Sequence, residues 1–245
     1  NKYTANSTLN HVSSDIKHSD LPNKENIMYQ HRDWEGSLLD FPVNKVICVG
    51  SNYANHIKEM GSVRSEEPVI FIKPETAMCD IRQPIAIPKE MGAVHHEIEL
   101  AVLIGQPLKQ ANEDRVDRAI AGFGVGLDLT LRDLQSQLKK AGQPWEKSKA
   151  FDGSAPLSGF IPVNSFGDPQ NVDLMLKVNG EIRQQGNSRD MLTPVLPLIS
   201  YMSRFFTLRP GDVILTGTPE GVGPLASGDM LVLSVNEHQL TTRVI

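Results

Sequence analysis

The pattern of this chain predicts a mostly β architecture with a few helices, an α+β roll or sandwich rather than a doubly wound sheet. Three observations carry that expectation. Short apolar runs recur along the chain, each bounded by Gly, Pro, Asn or Asp. Asn179-Gly180, between two strand-like segments, is the strongest short hairpin signal. Helical periodicity is confined to a few brief stretches, and no internal repeat is visible.

In chain order, residues 1–27 are polar, rich in Asn, Ser, Lys and Asp, and without helical or strand period. They read as an extension ahead of a natural initiator at Met28, with 28–245 as one domain. Residues 28–44 suit a short hairpin turning at Glu35-Gly36, and 45–50 a buried strand. A helix over 53–60 follows, capped by Ser51 or Asn52 and closed by Gly61. Polar residues 62–68 form a loop, a candidate lid over whatever lies near that helix. Strands are expected at 69–73, 86–88, 95–104 and 120–130, then a helix over 131–140 ended by Ala141-Gly142. Segments 173–178 and 181–185 flank the Asn179-Gly180 turn. A helix starts near Pro194 and runs to 204. Pro210-Gly211-Asp212 turns into a strand at 213–216, and 231–235 pairs with 241–245.

Composition narrows the function classes. A length of 245 residues with 40% hydrophobic content is enough for a sizeable core. The net charge of −5, with Lys and Arg scattered, argues against a nucleic-acid surface. Arg115 to Arg118 and Lys139-Lys140 read as solvated helix faces. Cys48 and Cys79 both sit beside apolar residues, so a disulfide framework is not expected and a reducing cytoplasm fits. No apolar run reaches membrane-spanning length, and the first residues hold no apolar signal core.

The chemistry concentrates in carboxylates. Glu97 and Glu99 lie one residue apart at the mouth of an apolar strand, so they project to one side with Cα atoms roughly 6–7 Å apart. Ala101 and Leu103 continue that side, and Asp128 closes a second apolar run. Paired acids also suit the wet face of an antiparallel sheet. The apolar continuation favours burial, where like charges need protonation, hydrogen bonds or a cation. Three carboxylates without a nearby cysteine favour Mg²⁺ or Mn²⁺ over Zn²⁺. His95 shares their side, as a fourth ligand or a supporting partner, and His96 points away. His56 and Glu59, three apart on a helix, suit a carboxylate-oriented base or an ordinary surface pair. Lys149, in a loop after the 131–140 helix, suits a carbonyl-polarising cation or a solvated side chain. The loop from Thr216 to Gly223 lacks the lysine and glycine spacing of a phosphate loop, leaving a carboxylate or enolate oxygen as its candidate ligand.

Seven motifs in order then carry a resemblance: Gly50-Ser51-Asn52-Tyr53-Ala54-Asn55-His56, Phe71-Ile72-Lys73-Pro74, His95-His96-Glu97-Ile98-Glu99-Leu100, Asp128-Leu129-Thr130-Leu131-Arg132-Asp133, Lys149-Ala150-Phe151-Asp152, Val178-Asn179-Gly180-Glu181 and the 216–223 loop. Together they resemble the fumarylacetoacetate hydrolase family, in particular its small single-domain branch of acylpyruvate hydrolases and oxaloacetate-acting enzymes. The resemblance implies a fumarylacetoacetase C-terminal-like mixed β-roll that forms a homodimer. It implies Mg²⁺, with Mn²⁺ as the alternative, on Glu97, Glu99 and Asp128. It implies a water-activating dyad of His56 and Glu59, a catalytic Lys149, and substrate contacts from Gln135, Gly217 and Thr218. Many relatives carry arginine where this chain has Ser51, so one carboxylate clamp is missing. The expected enzyme acts on small 2-oxo or 1,3-dicarbonyl acids through an enolate whose charge the cation and Lys149 neutralise. Acylpyruvate hydrolysis, oxaloacetate decarboxylation and keto-enol tautomerisation all use such an enolate. The rivals are a decarboxylase or isomerase of aromatic-degradation intermediates, and a metal-dependent dicarboxylate-binding protein without turnover.

Overall fold

The two longest apolar runs pair with each other and form the centre of the molecule. A computed structural model describes residues 28–61 and 63–245; the expectations for residues 1–27 and for Ser62 fall outside them. Strand β5 (Ile98–Ile104) is buried along its whole length. It pairs antiparallel with β6 (Ile120–Leu127), starting at Ile98 opposite Leu127. On its other edge β5 takes β12 (Val213–Leu215), followed by β1 (Val46–Gly50) and β2 (Val69–Lys73). Beyond β6 lie β8 (Ala155–Leu157) and β3 (Met78–Asp80), while β9 (Ile161–Pro162) pairs with β6. Alternate glycines in β6 admit this crossing. A Cβ at Gly122 would meet the Ile161 carbonyl at 2.6 Å, and one at Gly124 the Gly159 carbonyl at 2.7 Å.

A second, antiparallel sheet has the order β11-β10-β14-β15, from β10 (Asp173–Val178), β11 (Glu181–Asn187), β14 (Met230–Val235) and β15 (His238–Arg243). Its buried Leu174, Leu176, Leu231 and Leu233 share one core with Leu100, Val102 and Val125 of the central sheet. The Asn179-Gly180 turn joins β10 to β11 with φ of 53° and 84°, the positive pair that an asparagine-glycine turn supplies. A small third sheet pairs β4 (Val94–His96) with β7 (Thr130–Leu131) and with β13 (Gly223–Pro224). Helices are short: α1 (Ala54–Glu59), α2 (Glu113–Ala119), α3 (Arg132–Lys140), α4 (Glu146–Lys149), α5 (Val163–Phe166) and α6 (Val195–Phe205). None among the described residues is long and apolar enough to cross a membrane.

The mostly β, α+β expectation stands, and the corrections have local causes. The strand expected over 95–104 breaks at Glu97, and the one over 120–130 stops before Asp128, because β4 and β7 leave the central sheet for the small one. Residues 86–88 form no strand; Ile85 makes a single bridge to Val244, and Pro84 and Pro88 remove donors on either side. Neither Ser51 nor Asn52 caps α1. Tyr53 is the N-cap and makes no side-chain cap bond, while Asn52 instead ties Thr193 to the Thr216 carbonyl. Residues 146–149, expected as loop, form the turn α4, with the Ser148 and Lys149 amides both bonded to Trp145 O. The last strand begins at His238, earlier than expected, since Asn236 at φ 51° makes the turn tight.

Candidate active site

The two strand breaks place the carboxylates. Glu97 sits between β4 and β5, Asp128 just after β6, and the Asp128 amide donates to the Glu97 carbonyl at 2.8 Å. Pairing of Ile98 with Leu127 then sets Glu99 beside them. Ligand oxygens of Glu97, Glu99 and Asp128 all lie within 4.8 Å of one another, and all three residues are buried.

Buried cations surround two of the three. Lys149 Nζ donates to Glu97 Oε2 at 2.8 Å, to Asp128 Oδ2 at 2.6 Å and to Thr130 Oγ1 at 2.7 Å, so each ammonium hydrogen has an acceptor. Arg132 Nη2 donates to Glu97 Oε1. Lys73, fully buried at the end of β2, sits 2.8 Å from Asp128 Oδ1. That contact is an ion pair without hydrogen-bond alignment, so Oδ1 keeps lone-pair capacity. Glu99 has a neutral donor, the Gly217 amide at 2.7 Å.

This asymmetry sets the ionisation. Burial pushes Glu97 upward, but Lys149 and Arg132 outweigh it and hold the carboxyl well below its ordinary range. Burial pushes Glu99 far upward, and the charges of Asp128 and Glu97 add to it. Burial lowers Lys149, but Asp128 and Glu97 reverse that and raise it.

An all-oxygen set in which Glu99 lacks a counter-charge fits a hard divalent cation, Mg²⁺ or Mn²⁺. Cation binding must then ionise Glu99. Below its raised pKa, Mg²⁺ affinity is expected to climb with pH by up to about tenfold per unit, with roughly one proton released. Calorimetric titration in buffers of different ionisation enthalpy measures that proton; pH-independent affinity would remove the Glu99 assignment.

One cavity gathers most of the remaining expected residues. His56, Glu97, Glu99, Gln135, Lys149 and Thr218 line it, together with Ser51, Met60, Arg132, Lys139 and Trp145. His56 is buried on α1 with Nδ1 3.3 Å from Glu59 Oε2, and Glu59 Oε1 accepts from the Gly221 amide at 3.0 Å. Glu59 therefore links His56 to the 216–223 loop. Gln135 Oε1 accepts from Arg132 Nη1 at 2.7 Å, leaving the amide NH₂ toward the cavity without a protein acceptor among the described residues. Thr218 Oγ1 donates to the Ile98 carbonyl at 2.8 Å and accepts from Gln184 Nε2 at 2.8 Å. The Gly217 amide, expected to meet substrate, serves Glu99.

Of the two readings of His95, the fourth ligand falls away, because His95 lies outside the ligand cluster. His96, read as pointing away, is bonded to Gln184 Oε1 at 2.8 Å. Lys139, read as part of a solvated helix face, is exposed and also lines the cavity. Sequence reasoning assigned no role to Lys73, Arg132, Lys139 or Trp145. A lysine ending the apolar run Val69-Ile70-Phe71-Ile72 was the one local signal for Lys73.

Residues 45–245 match the model of the fumarylacetoacetate (FAA) hydrolase C-terminal family. The chain is 68% identical over 219 residues to Escherichia coli oxaloacetate tautomerase YcgM, covering 89% of this chain and 100% of that protein. It is 43% identical over 191 residues to the mitochondrial oxaloacetate tautomerase FAHD1 of Bos taurus, covering 78% of this chain and 86% of that protein. Among solved structures it resembles fumarylpyruvate hydrolase from Pseudomonas aeruginosa in complex with Mn²⁺ and pyruvate. That match has a TM-score of 0.83 at 38% identity and covers 89% of this chain and 95% of that one.

Proposed function

The chain belongs to the fumarylacetoacetate hydrolase family, and from that premise we propose that it is a divalent-cation-dependent oxaloacetate tautomerase. The observation that carries the reading is that His56, an imidazole backed by the carboxylate of Glu59, lines one cavity with Glu97 and Glu99 of the three-carboxylate cluster. Identity of 68% over the full length of an oxaloacetate tautomerase supports the choice of substrate.

A cation on the three carboxylates would supply Lewis-acid stabilisation to the carboxylate and carbonyl oxygens of a 2-oxo acid. This chain's own residues do the rest. His56 takes a proton from the carbon between the ketone and the distal carboxylate, and Glu59 orients the ring and stabilises its charged form. Lys149 and Arg132 keep Glu97 ionised and set positive charge beside the carbonyl oxygen, where negative charge grows as the enolate forms. The Gln135 amide donates to the proximal carboxylate in this reading, its oxygen being taken by Arg132. Protonation at oxygen instead of carbon yields the enol, and the reverse path restores the ketone.

The test is metal-stripped and Mg²⁺-reloaded protein on oxaloacetate and on acetylpyruvate, following enol absorbance and CO₂ together. Mg²⁺-dependent equilibration of oxaloacetate enol without CO₂ is expected. Stoichiometric CO₂ would instead mean a decarboxylase. Replacing His56 with Gln should slow equilibration by about 10²–10⁴-fold, the usual contribution of a positioned base. An unchanged rate would remove His56 from the mechanism.

A second reading has its own support. The same dyad is placed to activate water, and the Mn²⁺-containing neighbour is a fumarylpyruvate hydrolase. Faster cleavage of acetylpyruvate than equilibration of oxaloacetate would favour it.

A further inference from the structure

One cation at the cavity, Lys139, has no carboxylate partner among the described residues. Arg132, Gln135 and Lys139 follow one another at three- and four-residue spacing on α3, so they form one row on a helix face. Arg132 at the inner end is bonded to Glu97, and Gln135 is bonded to Arg132. Lys139 at the outer end lines the same cavity, and none of the salt bridges among the described residues includes it. Helical side chains lean toward the N-terminus, so Lys139 leans back over Gln135. Its Nζ lies 4.8 Å from the centroid of the Trp145 ring. Trp145 is itself wedged between Gly50, where a Cβ would meet the ring at 3.2 Å, and Phe71, with ring centroids 5.9 Å apart. A cation held over a fixed ring loses less freedom on meeting an anion than a free lysine does.

Resting on the tautomerase reading, we propose that Lys139, seated on Trp145, binds the distal carboxylate of a dicarboxylic oxo acid and thereby makes the site select dicarboxylates. The charges at the cavity agree with this. Burial, Lys149 and Arg132 all lower the pKa of Lys139, with only Glu97 opposing them, so positive potential at the outer end is left for an anion to balance. Ser51, at the cavity wall, is neutral. Arg64 lines an adjoining depression together with Glu66 and Glu67.

The test pairs two ligands that share a 2-oxo acid end and differ in the distal carboxylate. Mg²⁺-loaded wild type, Lys139→Met, Lys139→Arg and Arg64→Gln are titrated calorimetrically with pyruvate and with 3,3-difluoro-oxaloacetate, which cannot enolise. KM and kcat for oxaloacetate are measured alongside. Lys139→Met is expected to weaken 3,3-difluoro-oxaloacetate about tenfold, the scale of one charge-assisted hydrogen bond. Pyruvate should stay within about twofold, because it makes no distal contact to lose. KM for oxaloacetate should rise more than kcat falls, and Lys139→Arg should recover most of the loss. Equal weakening of both ligands, no weakening of either, or selective weakening by Arg64→Gln instead would overturn the proposal. Wild type that binds both ligands without equilibrating oxaloacetate would defeat the tautomerase reading, while the calorimetric pair would still decide the role of Lys139.

Discussion

Glu97→Gln is expected to lower Mg²⁺-dependent turnover by about 10³-fold or more, because losing cation stabilisation of the reacting oxygens costs several kcal/mol. The amide keeps the shape of the side chain but cannot serve as an anionic ligand. It also leaves the buried Arg132 without its carboxylate, while Lys149 retains Asp128. The acid limb of stability should change as well. The carboxyl of Glu97 ordinarily titrates near 4.5 and is held below that in the folded protein. Its contribution is therefore present above pH 4.5 and is lost as the pH falls below it, a limb that Glu97→Gln should flatten. Calorimetric Mg²⁺ titration, far-ultraviolet circular dichroism and the tautomerisation rate read the effects separately. Full Mg²⁺-dependent turnover in a folded variant would end the ligand assignment.

Lys149→Met is expected to be the most destabilising single change at the site. The ammonium bridges Glu97 and Asp128, and its removal leaves two buried carboxylates sharing Lys73 and Arg132. Breaking a buried ion pair from one side costs about 3–5 kcal/mol, or roughly 10 °C of melting temperature in a chain of this size. Lys149 is held above its ordinary value of 10.5, because Asp128 and Glu97 outweigh the lowering by burial. Its contribution is thus complete below pH 10.5 and disappears only on alkaline titration. Wild type and variant should differ through the neutral range and converge at high pH. Added Mg²⁺ should raise the variant's melting temperature more than the wild type's, since a divalent ion can neutralise the undercompensated pair of buried charges. A variant as stable as wild type without metal would show that Lys149 does not hold the buried carboxylates together.

Much of this was legible beforehand, for identifiable reasons. The carboxylate triad could be read because three acids stand in otherwise apolar runs, where burial leaves few ways to satisfy them. The hairpin at Asn179-Gly180 could be read because positive φ at both turn residues restricts which residues fit. The pair of His56 and Glu59 could be read because helical spacing alone brings them together.

Local patterning by itself determined the strand-rich class, the positions of most elements and the identity of the carboxylates, since each rests on side-chain period or turn chemistry within a few residues. Tertiary structure decided how those carboxylates are balanced: Lys73 arrives from β2, Arg132 from α3 and Lys149 from α4, and the Gly217 amide comes from the loop after β12. It likewise decided that Lys139, exposed as its helix face is, also borders the cavity. Coulombic partners and ring contacts are set by distance through space, and distances between residues far apart in sequence exist only once the sheets have closed.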